Sequence, residues 1–113
     1  MQKNKRKTVL VIDDDRNAAD LLMIVIRGRG HEAHVAYDSR TGLDLALQLT
    51  PDVIFYDVGM AHSGGYRVAQ ILRGQPQFDN TLLIALTEYG SEDDRMHALR
   101  AGFNKQLRKP ASN

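Results

Sequence analysis

The chain has 113 residues, of which 42% are hydrophobic and 26% charged, with no cysteine and a formal net charge of +1. That size and composition specify one globular domain with a single core. The charge balance gives no electrostatic case for nucleic acid or an anionic membrane. The absent thiols exclude disulfides, a thiolate nucleophile and a cysteine-type zinc site.

Residues 1–7 include Lys3, Lys5, Arg6 and Lys7 and read as a solvated basic leader ahead of a domain spanning 8–113. No apolar stretch follows them, so they do not form a secretory signal. The longest apolar run, Leu21 to Ile26, is far short of the roughly 20 residues that cross a bilayer. A cytoplasmic protein is expected.

Thr8-Val9-Leu10-Val11-Ile12 reads as a buried strand that runs into Asp13-Asp14-Asp15. Asp14 or Asp15 can cap the helix that follows, because a carboxylate accepts the orphan N–H groups of a first turn. That helix runs to about Arg29 and stops at Gly30. Ala19, Leu22, Met23 and Ile26 recur at helical spacing and predict the core face. Ala18, Leu21 and Val25 form a second apolar stripe, either a widened core face or a partner surface. His31 to Tyr37 alternates weakly, with Ala33, Val35 and Tyr37 in phase, and predicts a short strand at the sheet edge. His31 and His34 have no Cys or His companions nearby and read as surface histidines rather than ligands. Asp38 or Ser39 caps a helix through Leu49, with Leu43, Ala46 and Leu47 inward. Gly42 weakens that helix by about 1 kcal/mol relative to Ala, and Thr50-Pro51 ends it.

Pro51-Asp52-Val53-Ile54-Phe55-Tyr56-Asp57 predicts a strand buried on both faces that stops at a carboxylate. Val58 to Gly65 is a mobile loop by composition, and it lacks the pattern of a phosphate-cradling P-loop. Tyr66 to Arg73 is helical with Val68, Ala69 and Leu72 inward, broken by Gly74 and Pro76. Thr81 to Leu86 is another buried strand, ending in Thr87. Ser91 opens a helix whose first-turn acids Glu92, Asp93 and Asp94 suit its dipole. It carries Met96, Ala98 and Leu99 and stops at Gly102. Asn104 to Arg108 is a poor strand, with Leu107 its only large apolar residue, and Lys109-Pro110 follow it.

Strands and helices that alternate in this way predict a parallel sheet with helices on both faces. Right-handed crossovers place the C-terminal ends of all strands on one edge, where ligands of open α/β sheets bind. Asp13, Asp14, Asp57, Thr87 and Lys109 meet there: three carboxylates, a hydroxyl and an ammonium. Clustered carboxylates raise one another's pKa, and a divalent cation removes that penalty. Oxygen-only donors suit Mg²⁺ better than zinc. A carboxylate in such a site can act as a nucleophile and form an acyl phosphate. The metal, Lys109 and the Thr87 hydroxyl could then each take a phosphoryl oxygen.

Val9-Leu10-Val11-Ile12-Asp13-Asp14-Asp15, Pro51 to Asp57, Ala85-Leu86-Thr87 and Lys109-Pro110 together resemble the receiver domain of two-component response regulators, over residues 8–110. The resemblance implies a flavodoxin-like, doubly wound, five-stranded parallel sheet of order 2-1-3-4-5. It implies a signalling module rather than a turnover enzyme. Asp57 would take a phosphoryl group from a histidine kinase or a histidine phosphotransfer protein, switching partner interactions. It also implies that Asp14, Asp57 and the Gly59 carbonyl ligate Mg²⁺ directly while Asp13 acts through water. Lys109 would pair with the phosphoryl group, and Thr87 would swing toward it. The apolar stripe of Ala18, Leu21 and Val25 lies where the family docks its histidine-bearing partner.

Three features depart from the family's pattern. Ala61 stands in place of a proline. Gln106 stands in place of the aromatic residue three before the lysine, with Tyr89 a substitute from the other side. The sequence ends at Asn113, where the family continues into a fifth helix. That helix is therefore expected to be missing or truncated: either one flank of the sheet is open to a second copy of the chain, or the sequence is a piece of a longer protein and only marginally stable by itself. No direct binding to nucleic acid and no membrane attachment is expected. One rival is a haloacid-dehalogenase-type phosphatase using Asp13 and Asp15, but Asn17 stands where that family has Thr or Val, and the chain is short for it. The other rival is a pseudo-receiver that binds partners without ever being phosphorylated.

Overall fold

Five short strands alternate with helices in the computed structural model, which describes residues 6–60, 65–88 and 90–110. In chain order they are β1 (Thr8–Ile12), α1 (Arg16–Gly28), β2 (Glu32–Ala36), α2 (Ser39–Leu49), β3 (Val53–Asp57), α3 (Gly65–Arg73), β4 (Leu82–Thr87), α4 (Glu92–Ala101) and β5 (Lys105–Arg108). A short 3-10 turn at Pro76–Phe78 precedes β4. The strands form one sheet of order β2-β1-β3-β4-β5, and every neighbouring pair is parallel. This is the flavodoxin-like architecture expected from the sequence, with β2 and β5 at the edges. The loop calls at Ala61 to Gly64, the Tyr89 substitution and the last three residues lie outside the described residues, as do the first five residues of the basic leader.

Side-chain caps set the helix starts. Of the two candidates for α1, Asp15 is the cap: its Oδ1 accepts the Ala18 N–H. Asp38 caps α2 by accepting the Thr41 N–H, and Ser91 caps α4 by accepting the Asp94 N–H. Each supplies an oxygen to an N–H that has no partner within its own helix. Gly30 and Gly102, at φ +92 and +120, take the left-handed turns that close α1 and α4.

The two faces of the sheet are covered unequally. Leu10, Ile12, Ile54, Tyr56, Leu83 and Ala85 point to one face and pack under α2, α3 and α4 in one buried cluster. Val9, Val11 and Leu86 point to the other and meet Ala19, Leu22 and Ile26 of α1. On this second face, Val53, Phe55 and Leu107 are only partly buried and Leu82 is 38% exposed. So β3, expected to be buried on both faces, is fully buried on one. Beside it α1 sends Ala18 and Val25 toward the gap, half-buried, while Leu21 is 64% exposed.

Several inward assignments change. Leu47 of α2 is 47% exposed, and Gly42 takes the inward place instead. A Cβ at Gly42 would sit 2.6 Å from Ile12 Cδ1, so this glycine lets the helix approach the sheet and is not merely a weak point in the helix. Met96 and Leu99 of α4 are likewise exposed, and its buried residues are Ala98 and Ala101. In β2, Ala33 and Ala36 are both buried although they face opposite ways, because α1 lies over one face and α2 over the other. His31 and His34 are half-buried rather than free on the surface: His31 Nδ1 accepts the Lys7 N–H, and His34 Nε2 lies 2.6 Å from Glu32 Oε2.

Candidate functional site

Strand β1 hands its last residues to the site. The Asp13 N–H still donates to Ala36 O of β2 at 3.0 Å, so the backbone is held in the sheet while the side chain, 1% exposed, turns into its C-terminal edge. Asp13 Oδ1 accepts the Asp15 N–H at 3.0 Å. Asp15 is committed to the α1 cap, and Asp14 between them is exposed. Asp57 is the last residue of β3 and is 5% exposed. Its Oδ1 accepts the Gly59 N–H at 2.9 Å. A Cβ on Gly59 would come within 3.2 Å of that oxygen, so the close backbone approach suits glycine.

Lys109 reaches in from beyond β5. Its backbone N–H donates to Thr87 O at 2.8 Å, and its Nζ lies 3.1 Å from Asp13 Oδ2 and 3.4 Å from Asp57 Oδ2. Thr87 ends β4 and is buried. One carboxylate oxygen from each of Asp13, Asp14 and Asp57 falls within 4.8 Å of the other two. Asp14, Asp57, Gly59, Thr87 and Lys109 all line an open cavity of about 460 Å³. The residues named from the sequence therefore converge at one place, drawn from the ends of β1, β3, β4 and β5.

The site holds more negative charge than it neutralises. Burial pushes the Asp13 carboxyl up to about 6. The Asp15 N–H opposes that rise, Asp57 adds to it, and Lys109 offsets part of it. Burial of the Lys109 ammonium works against its charge, yet Asp13 and Asp57 outweigh that effect and its pKa lies above the ordinary lysine value. Lys109 is thus a fixed cation facing three carboxylates. A divalent cation fits this donor set: the ligands are hard oxygens, and one ammonium leaves a surplus of negative charge.

Two residues of the surroundings were not marked as functional or were marked only as a departure. Glu88, just after Thr87, lines the same cavity; nothing in the sequence pattern distinguishes it from a solvated acid. Gln106, in place of an aromatic residue, has a buried Oε1 with no hydrogen-bond partner among the described residues.

A five-stranded 2-1-3-4-5 sheet with an acid cluster and a lysine at its C-terminal edge defines a class of small flavodoxin-like signalling domains. The chain belongs to the response regulator receiver domain family, whose model matches residues 9–113. The uncharacterized 14.6 kDa protein in the sodA1 3′ region of Leptolyngbya boryana is 36% identical over 110 residues, covering 97% of this chain and 84% of that protein. The DNA-binding dual master transcriptional regulator RpaA of Synechocystis is 32% identical over 102 residues. That match takes in 90% of this chain and 42% of the regulator. Among solved structures, the chemotaxis response regulator CheY4 of Vibrio cholerae superposes with a TM-score of 0.87 at 27% identity, covering 94% of this chain and 88% of that one. The Francisella response regulator 1452 receiver domain gives 0.83 at 31% identity, with 93% and 85% covered. Receiver domains are signalling modules of two-component systems rather than turnover enzymes, and they work with kinases or phosphotransfer proteins. Among the described residues no helix is long and apolar enough to cross a membrane.

Proposed function

We propose that this domain, spanning 8–113 behind a basic leader, is a phosphoacceptor in a cytoplasmic phosphorelay and that Asp57 carries the phosphoryl group. The observation behind this reading is the position of Asp57: buried at the end of β3, at the mouth of an open cavity, with the Lys109 ammonium 3.4 Å from one of its oxygens. In the transfer a bond forms between a carboxylate oxygen of Asp57 and phosphorus. The bond from phosphorus to the ring nitrogen of the partner's phosphohistidine breaks, and the imidazole leaves with that electron pair and takes a proton from water. Lys109 faces the charge that develops on the phosphoryl oxygens, and Thr87 lines the same cavity. Asp14, Asp57 and the Gly59 carbonyl would hold Mg²⁺, with Asp13 acting through water. The ion would supply charge neutralisation for phosphoryl transfer. Leu21, exposed on the first turns of α1 near the acid cluster, together with Ala18 and Val25 would meet the histidine-bearing partner.

The test is phosphorylation by acetyl phosphate with Mg²⁺, followed by peptide mapping. The adduct is expected on Asp57 and should be lost in Asp57→Asn. An adduct on Asp13, or undiminished labelling of the variant, overturns the assignment. A folded chain that takes no label under these conditions would favour the pseudo-receiver, a domain that binds partners without the modification.

A further inference from the structure

Glu88 sits just past the end of β4, where the cavity that Asp57 lines adjoins a second one of about 360 Å³. It lines both, as do Asp15 and Lys109. Its main chain is held: the Arg108 Nε donates to Glu88 O at 3.1 Å, and the preceding carbonyl, Thr87 O, accepts the Lys109 N–H. The residue itself is exposed at the entrance. The other acids of this edge have counter-charges. Asp15 accepts the Ala18 N–H at the positive end of α1. Asp13 and Asp57 share the Lys109 ammonium at 3.1 and 3.4 Å. Lys109 and a divalent cation would together bring three positive charges to the three carboxylates of Asp13, Asp14 and Asp57. Glu88 is not a member of that cluster, so its charge is the one left over. Among the described residues Lys109 is the one cationic side chain that lines either cavity.

A carboxylate at the rim of a site acts on whatever enters, in proportion to the charge that the visitor carries. A free dianionic phosphodonor meets repulsion there, whereas a phosphoryl group that arrives beside a positive charge meets attraction. We infer that Glu88 sets donor specificity: it slows small dianionic phosphodonors and favours a partner with a basic side chain beside its phosphohistidine. The inference rests on the reading of Asp57 as the phosphoacceptor and adds the charge of the donor that the site selects. Glu88 forms no bond to phosphorus; it works on the approach, as rim charges do at protein interfaces.

The experiment uses the 113-residue chain with Mg²⁺ and two small donors: acetyl phosphate, a dianion, and phosphoramidate, a monoanion because its nitrogen is protonated. With either donor an Asp57 carboxylate oxygen forms the new bond to phosphorus. The P–O bond of the first breaks and acetate leaves with the electron pair; the P–N bond of the second breaks and ammonia leaves with it. Initial rates of Asp57 labelling are compared in wild type and Glu88→Gln, which keeps the shape and removes the charge. At about 20 mM salt the variant should take label from acetyl phosphate about tenfold faster. The work of approach is proportional to donor charge, so the gain with phosphoramidate should be the square root of that, about threefold. Both gains should vanish near 1 M salt, where the screening length is about 3 Å. A phosphohistidine peptide flanked by lysines should donate more slowly to Glu88→Gln than to wild type, and one flanked by glutamates faster. Equal rates in the two proteins overturn the inference, as do equal gains with both small donors. A gain that salt leaves untouched also overturns it, because shape rather than charge would then control entry. If neither small donor labels Asp57 in either protein, the phosphoacceptor reading falls and this inference with it; labelling without a charge effect overturns this inference alone.

Discussion

Asp13 is held ionised against its surroundings. An acid whose folded pKa is raised binds more protons in the folded state than in the unfolded state between its two values. For Asp13 that window runs from the ordinary 3.8 to about 6. The metal-free chain should therefore lose stability as pH rises through this window and change little from this source above it. The full effect is at most about 3 kcal/mol. Asp13→Asn removes the titration while keeping an acceptor for Lys109 and the Asp15 N–H. In EDTA the variant should exceed wild type by up to that amount at pH 7 and show no advantage below pH 4, as read by urea unfolding at each pH. A variant no more stable at pH 7 would mean that the lost ion pair with Lys109 outweighs the relief of burial. Gly42 makes a second residue-scale case. Helix propensity alone favours Gly42→Ala by about 1 kcal/mol. The Cβ would meet Ile12 Cδ1 at 2.6 Å, and overpacking of this kind costs about 1–3 kcal/mol. The variant should melt lower than wild type. A higher melting temperature would show that Ile12 yields without strain.

At the scale of the elements, β1, β3 and β4 and the caps of α1, α2 and α4 were legible in the sequence because each carries a local signal: apolar runs that stop at Asp13, Asp57 and Thr87, and Asp or Ser before a helix. The site was legible because parallel topology sends every strand end to one edge, so Asp13, Asp57, Thr87 and Lys109 needed only their positions in the pattern. What could not be read depends on partners far away in sequence. Leu47, Met96 and Leu99 satisfy helical periodicity yet lie exposed, because α2 and α4 meet the sheet through the small residues Gly42, Ala46, Ala98 and Ala101. Arg73 is a further example. It reads as the basic end of a helix, but its guanidinium clamps three segments, donating to Phe78 O at 2.7 Å, Gly102 O at 2.9 Å and Asn104 Oδ1 at 2.6 Å. Asn104 Oδ1 also accepts the Leu83 N–H, so the clamp fixes the start of β5 against β4. Arg73→Lys keeps the charge but not the planar fork. It should cost about 1–3 kcal/mol in urea unfolding through carbonyls left without their donor. A loss within error of zero would assign those carbonyls to water.

At the scale of the whole molecule, the acid site ties the centre of the sheet to its weaker edge. Lys109, just after β5, reaches across β4 to Asp57 at the end of β3 and Asp13 just after β1. Anything that binds the folded site but not the unfolded chain stabilises the fold by mass action. Mg²⁺ at a hundredfold excess over its Kd should add about 2.7 kcal/mol, a rise of roughly 10 °C in Tm for a domain of this size. Asp14→Ala should abolish the rise; an undiminished rise would place the ion elsewhere. Besides Lys109, the edge strand is held by its pairing with β4, by the Arg73–Asn104 clamp at its start and by the Arg108 guanidinium on Glu88 O. It is four residues long, pairs on one side only among the described residues, and has Lys105 and Arg108 exposed and Leu107 half-buried. Strands with few buried contacts open at low free energy while the core stays closed. Amides of β5 should therefore exchange with solvent faster than those of β1 and β3 in the native chain. In Lys109→Met the link to the two aspartates is gone, and protection should fall further at Leu107 and Arg108 while β1 and β3 keep theirs. Native-state hydrogen exchange by NMR separates the outcomes: a uniform drop across all strands would mean that β5 opens only with global unfolding and that the Lys109 bridge holds the whole sheet rather than its edge.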